Sequence, residues 1–118
     1  MHSAKYPAVL AVLLVVMTGC SAPKTDRVVI ADGKSYETSL FRQQCAICHG
    51  PEGDGKTLPD GKIVPSLREG NLKFKTEPEI YKQIAEGGNG MTPFRGQLTE
   101  REIELLVKFV HDDLRKGK

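Results

Sequence analysis

Apolar positions recur with a helical period in three stretches of this chain. Around Ser35–Gln44, the residues Tyr36, Leu40, Phe41 and Cys45 fall at i, i+4, i+5 and i+9, which is one face of a helix. "TEPEIYKQIAEGG" predicts a second helix. Thr76 and Glu79 have capping-box spacing, Pro78 sits in the first turn, and Ile80, Tyr81 and Ile84 form the inward face. Gly87 or Gly88 ends it. "LTEREIELLVKFVHDDLRKGK" is the strongest pattern: Thr99 and Glu102 repeat the capping box, and Ile103, Leu106, Val107, Val110 and Leu114 share a face. Residues 50–75 show neither period and are rich in Gly, Pro and Asp. A loop this long in a compact domain is expected to be functional, and wrapping a cofactor would account for it. The fold class expected is all-α: three main helices and one long loop, with no strand of note.

A further apolar run, Ala8–Met17, is unbroken for ten residues. It follows Lys5 and precedes the small residues Thr18 and Gly19, the layout of a secretory signal. It is short of the roughly 20 apolar residues a membrane-spanning helix needs. "MTGC" resembles the lipobox of bacterial lipoproteins, with Met17 where Leu is usual. The resemblance implies that Cys20 is acylated and becomes the first residue of an exported, membrane-anchored protein facing the periplasm or cell exterior. The expected division is a signal peptide at 1–19, a lipidated N-terminus and tether at 20–34, and a folded domain at 35–118. Within the tether, Val28–Ile30 is the part able to pack on the domain.

Composition narrows the function. A chain of 118 residues suits one small domain. Its 17 Lys and Arg against 15 Asp and Glu leave a net charge of +2, and no basic run interleaves with aromatics, so nucleic acid is not an expected partner. There is no Trp, and a core this small gains from a staple such as a metal or cofactor. Three cysteines cannot form a pure disulfide framework. With Cys20 acylated, Cys45 and Cys48 remain.

Those two stand in "CAICHG", with His49 directly after the second. A thioredoxin-like dithiol would place CxxC at the start of a helix in a βαβ setting, and here it closes a helix in an all-α chain. Structural zinc needs four ligands, and no second ligand pair exists. Covalent haem needs this order: two thiols add to two vinyl groups, and the next residue offers imidazole to the iron. One haem c is therefore the expected cofactor.

The run "CAICHGPEGDGK…VPSL…GN…I…IAEGGNGMTPF…LTEREIELLVKFV" is similar to a small class I cytochrome c over about residues 33–118. The resemblance implies a cytochrome c domain at 35–118. Cys45 and Cys48 would be the thioether residues and His49 the proximal ligand. The Pro65 carbonyl would accept the Nδ1–H of His49, and Leu40 and Phe41 would cross Leu106 and Phe109. Met91 is expected as the sixth ligand. It is the only methionine after residue 19 and lies in "GGNGMTPF", although Thr92 separates it from the Pro that usually follows. Arg68 is expected either on a haem propionate or solvated in the loop, and His111 as a solvated surface histidine.

Iron held by His and Met has no open position for substrate, so no catalytic residue and no small-molecule substrate are expected. The expected function is a one-electron carrier, not an enzyme, tethered to a membrane and passing electrons between redox proteins, free or as a haem subunit. Two rivals remain: a gas-binding sensor or enzyme module with an open iron site, and a thiol oxidoreductase.

Overall fold

The computed structural model describes residues 26–116. The apolar run expected to be a signal segment, and Cys20, lie outside them. Helix α1 spans Tyr36–Gln44 and is capped by Ser35, whose hydroxyl accepts the Thr38 N–H. One further turn, α2 (Ala46–His49), carries the CxxCH motif. Helix α3 is Glu77–Glu86 and α4 is Glu100–Lys108. Both expected capping boxes form: the Glu79 carboxylate accepts the Thr76 N–H at 2.9 Å, and Glu102 accepts that of Thr99 at 2.8 Å. The last helix does not continue as a regular α-helix. It widens into a π-helical segment at Phe109–Leu114.

The three helical patterns meet in one core. Leu40 and Phe41 of α1, Ile80, Ile84 and Ala85 of α3, and Ile103, Leu106, Val107, Phe109, Val110 and Leu114 are all buried together. The expected crossing of the first and last helices is present, with the Phe41 and Phe109 rings edge-to-face at 5.9 Å and 65°. Such a pair adds about 0.5–1.5 kcal/mol beyond its burial. Tyr36 departs from the expected face. It is exposed, and its hydroxyl donates to Glu102 at 2.5 Å, tying α1 to α4 at their polar edges. Tyr81 is likewise only half-buried because its hydroxyl reaches Glu100.

The long loop contains the only strands among the described residues, a two-residue hairpin of β1 (Lys56–Thr57) and β2 (Ile63–Val64), antiparallel with Lys56 opposite Val64. Elsewhere its backbone is held by contacts within the loop and from the last helix. Leu67 N–H donates to the Gly53 carbonyl at 2.9 Å, and Arg115 reaches back to the carbonyls of Leu67 and Phe74 at 3.0 and 2.7 Å.

The folded domain begins earlier than residue 35. Ile30 is 0 % exposed and belongs to the core. A polar clasp holds the segment around it: Glu52 accepts the N–H groups of Ile30 and Ala31 at 2.9 Å, and Arg42 donates to the carbonyls of Ile30 and Gly33. Arg68 neither faces a ligand cavity nor is solvated. It is 6 % exposed, donating to the carbonyls of Glu52 at 2.5 Å and Val28 at 2.9 Å. A buried guanidinium needs such acceptors, because an unpaired buried charge is costly.

Ile30→Ala is therefore expected to behave as a core truncation and not as a change in a tether. It should lower unfolding stability by about 2–4 kcal/mol in denaturant titration. A loss below about 0.5 kcal/mol would show that this segment is not part of the folded unit.

Candidate functional site

The turn after α1 is short because the chain reverses at Gly50, at φ 83°. The Gly55 N–H bonds the His49 carbonyl at 2.8 Å, which folds the loop under the CxxCH turn. Cys45 is partly buried against the core, while Cys48 is exposed. Burial, reinforced by the neighbouring Cys48, pushes the Cys45 thiol up to about 12. A thiol held protonated in this way is a poor redox nucleophile, since the thiolate is the reactive form.

His49 is half-buried at the motif's end. Burial lowers its imidazole pKa below the ordinary value, which keeps the ring neutral and its lone pair free for a metal. Its Nδ1 is buried with no hydrogen-bond partner among the described residues. The expected acceptor, the Pro65 carbonyl, is therefore not bonded to it. Pro65 does line the same cavity, but its place is set by Val64 pairing with Lys56 on one side and by Leu67 bonding Gly53 on the other.

Met91 is presented by different local chemistry. Gly88 and Met91 exchange both backbone hydrogen bonds, at 3.0 and 2.9 Å, across Asn89 and Gly90. Both central residues have positive φ, 55° and 84°, as a type I′ turn requires, and Asn-Gly is the dipeptide that favours it. The turn folds onto α3 through Phe94 N–H to Ile84 O and Arg95 N–H to Ala85 O, each at 3.0 Å. Gly87 makes this possible: a Cβ there would lie 2.6 Å from the Met91 carbonyl oxygen.

These segments enclose a cavity of about 350 Å³. Cys45, Cys48 and His49 line it from the CxxCH turn, and Met91 from the Asn-Gly turn. Phe41, Ile80, Ile84, Leu106 and Val110 make its apolar floor. Ile47 and Ile63, 74 % and 75 % exposed, lie on its outer rim. The sequence reading missed Gln83, whose side-chain amide donates to the Met91 sulfur at 3.6 Å and to the Gly88 carbonyl at 2.9 Å. Only the Asn-Gly turn brings that residue to the sulfur, so the dipeptide was the available signal. It also missed Arg115, which lines the cavity from the chain's last turn.

The residues present fit a covalently attached haem. The cavity is apolar, two thiols stand where a CxxCH turn enters it, a neutral imidazole with an unpaired buried nitrogen lies beside them, and a thioether completes the wall. A mainly helical domain closing such a turn over such a cavity is a small class I c-type cytochrome. Residues 37–110 match the family described as cytochrome c oxidase, cbb3-type, subunit III. The chain belongs to this family of c-type cytochromes and carries the one covalent haem c that its members share.

Cytochrome c6 of Pyropia tenera is 31% identical over 78 residues, covering 66% of this chain and 89% of that protein. Cytochrome c6 of Porphyra purpurea is 29% identical over 108 residues, 92% of this chain and 96% of its own. Among solved structures, the KustC0563 c-type cytochrome superposes with a TM-score of 0.54 at 33% identity, covering 62% of this chain and 90% of that one. Cytochrome c6 of the diatom Phaeodactylum tricornutum shares the fold at a TM-score of 0.56 and 24% identity, covering 70% and 94%. With relatives of this kind, the chain is an electron carrier and not an enzyme.

Gly87→Ala is expected to disturb the methionine turn selectively. A side chain at φ 69° is strained, and the added Cβ meets the Met91 and Pro93 backbone. The cost should be about 1–3 kcal/mol in denaturant titration, with the visible spectrum of the haem-loaded protein altered. An unchanged spectrum and stability would show that the turn does not depend on this glycine.

Proposed function

We propose that this protein is a membrane-tethered one-electron carrier whose haem is bound through Cys45 and Cys48 and ligated by His49 and Met91. The observation that carries the reading is the shared cavity: His49 and Met91, delivered by unrelated turns, line one apolar chamber. When bound, haem supplies an iron centre that gains or loses one electron. The chain's residues do the rest. Burial keeps His49 neutral and ready to coordinate. Met91 offers a soft sulfur that favours the ferrous state and raises the potential. Gln83 holds that sulfur by its amide N–H, and the apolar floor excludes water. His49 and Met91 would both hold the iron, leaving no open site for a gas or substrate, which disfavours the sensor reading. The raised Cys45 pKa disfavours the thiol oxidoreductase.

The exposed Ile47 and Ile63 give the cavity rim an apolar edge against which a redox partner can pack. The family's description names an oxidase subunit, which supports a place in a respiratory complex beside the role of free carrier. Acylation at Cys20 would hold the domain at a membrane surface, facing the periplasm or exterior, and the lipobox-like "MTGC" supports it. In this reading 1–19 is removed and the tether is the stretch before the clasped segment around Ile30.

After acid and organic-solvent extraction, haem should remain with the polypeptide, and Cys45→Ser with Cys48→Ser should release it. Met91→His should keep a low-spin haem and lower the potential, since axial ligands can shift it across about 0.8 V. Met91→Ala should give high-spin iron that binds CO when reduced. If spin state and potential ignore both changes at Met91, another group is the sixth ligand.

Cys20→Ala should shift the protein from the membrane to the soluble fraction, or block its processing. Unchanged membrane attachment would mean that the apolar segment itself is the anchor.

A further inference from the structure

His111 is not the solvated surface residue its charged neighbours suggest. Its side chain is 21 % exposed and sits between two helices. The Nδ1 atom is 2.8 Å from Asp112 Oδ1 on its own helix and 3.6 Å from Glu77 Oε1 in the first turn of α3. One ligand atom from each of the three residues lies within 4.8 Å of the others. A small divalent ion with ligand bonds of about 2.0–2.2 Å in tetrahedral array places neighbouring ligand atoms about 3.3 Å apart, so the cluster is already near that size.

One backbone feature accompanies it. His111 and Asp112 both lie in the π-helical segment Phe109–Leu114, and π-helical turns are rare and recur at functional sites. The ammonium group bonded within the cluster is Lys116, 2.8 Å from Asp112 Oδ1.

We propose that Glu77, His111 and Asp112 form a surface site for a divalent cation of the zinc class, separate from the haem cavity. One imidazole and two carboxylates suit borderline metals such as Zn²⁺ better than Mg²⁺ or Ca²⁺, which take oxygen ligands alone. Three protein ligands leave a position for water. The ion would join the start of α3 to the end of the last helix, cross-bracing two helices that wall the haem cavity. Lys116 competes with it for Asp112, so this ammonium sets the affinity.

The test uses the haem-loaded, untagged mature protein, in which Cys45, Cys48 and His49 are occupied. His111 is then the one free histidine after residue 19. Calorimetric titration with ZnCl₂ should show saturable one-to-one uptake, and Mg²⁺ and Ca²⁺ should not compete. His111→Ala should weaken uptake about tenfold or more, judging by the scale of losses at metal sites. Glu77→Gln leaves the histidine in place and should weaken it several-fold, while Lys116→Gln should strengthen it. Zinc should raise the melting temperature of the wild type and not of His111→Ala. Circular dichroism checks that each variant is folded. No uptake by the wild type, equal uptake by a folded His111→Ala protein, or equal binding of Ca²⁺ would overturn the proposal.

Discussion

Phe41 stands where every part of this domain meets. Its ring packs edge-on against Phe109, closes one side of the cavity, and is the nearest side chain to Gly53 in the loop beyond the CxxCH turn. A Cβ on Gly53 would come within 3.3 Å of that ring and 3.5 Å of Leu114. The helix crossing therefore sets how close the loop comes, and the loop sets where Leu67 bonds. Interiors packed at this density transmit such constraints, because few neighbouring side chains can move without a cost.

The site's two halves are built by opposite means. His49 is placed by a regular helix end and a glycine turn, so its position follows from α1 packing on α4. Met91 depends on a two-residue reverse turn pinned to α3 by backbone bonds and lined by Gln83 and Lys62. Three lysine or amide contacts converge there: Lys62 on the Asn89 carbonyl, Lys73 on its side chain, and Gln83 on the Gly88 carbonyl. A turn held by side-chain contacts has fewer cooperative supports than a packed helix. The sulfur side of the cavity is thus the more adjustable one, and the imidazole side the fixed one.

Polar groups do structural work that apolar periodicity does not reveal. Glu52, Arg42 and Arg68 lie far apart in sequence from residues 27–33, yet they satisfy that segment's backbone groups. Burying Ile30 brings backbone N–H and C=O groups out of water, and each needs a partner. The clasp supplies them without a strand or helix, so the segment reads as a tether by pattern and as core by contact.

The helices, their caps, the CxxCH turn and the choice of covalent haem over zinc or dithiol chemistry were legible in the chain itself. Each depends on residues within one or two turns of one another: Thr99 with Glu102, Cys48 with His49, Ile103 with Leu106 and Val107. The Asn-Gly turn before Met91 was equally local, though its meaning came only with the contact to Gln83. Arg68's burial, the Glu52 contact that clasps the Ile30 backbone, and the meeting of His111 with Glu77 were decided by tertiary structure alone. They join residues 16 to 40 positions apart, and no local period or cap encodes which of many possible partners a side chain meets once the helices have crossed.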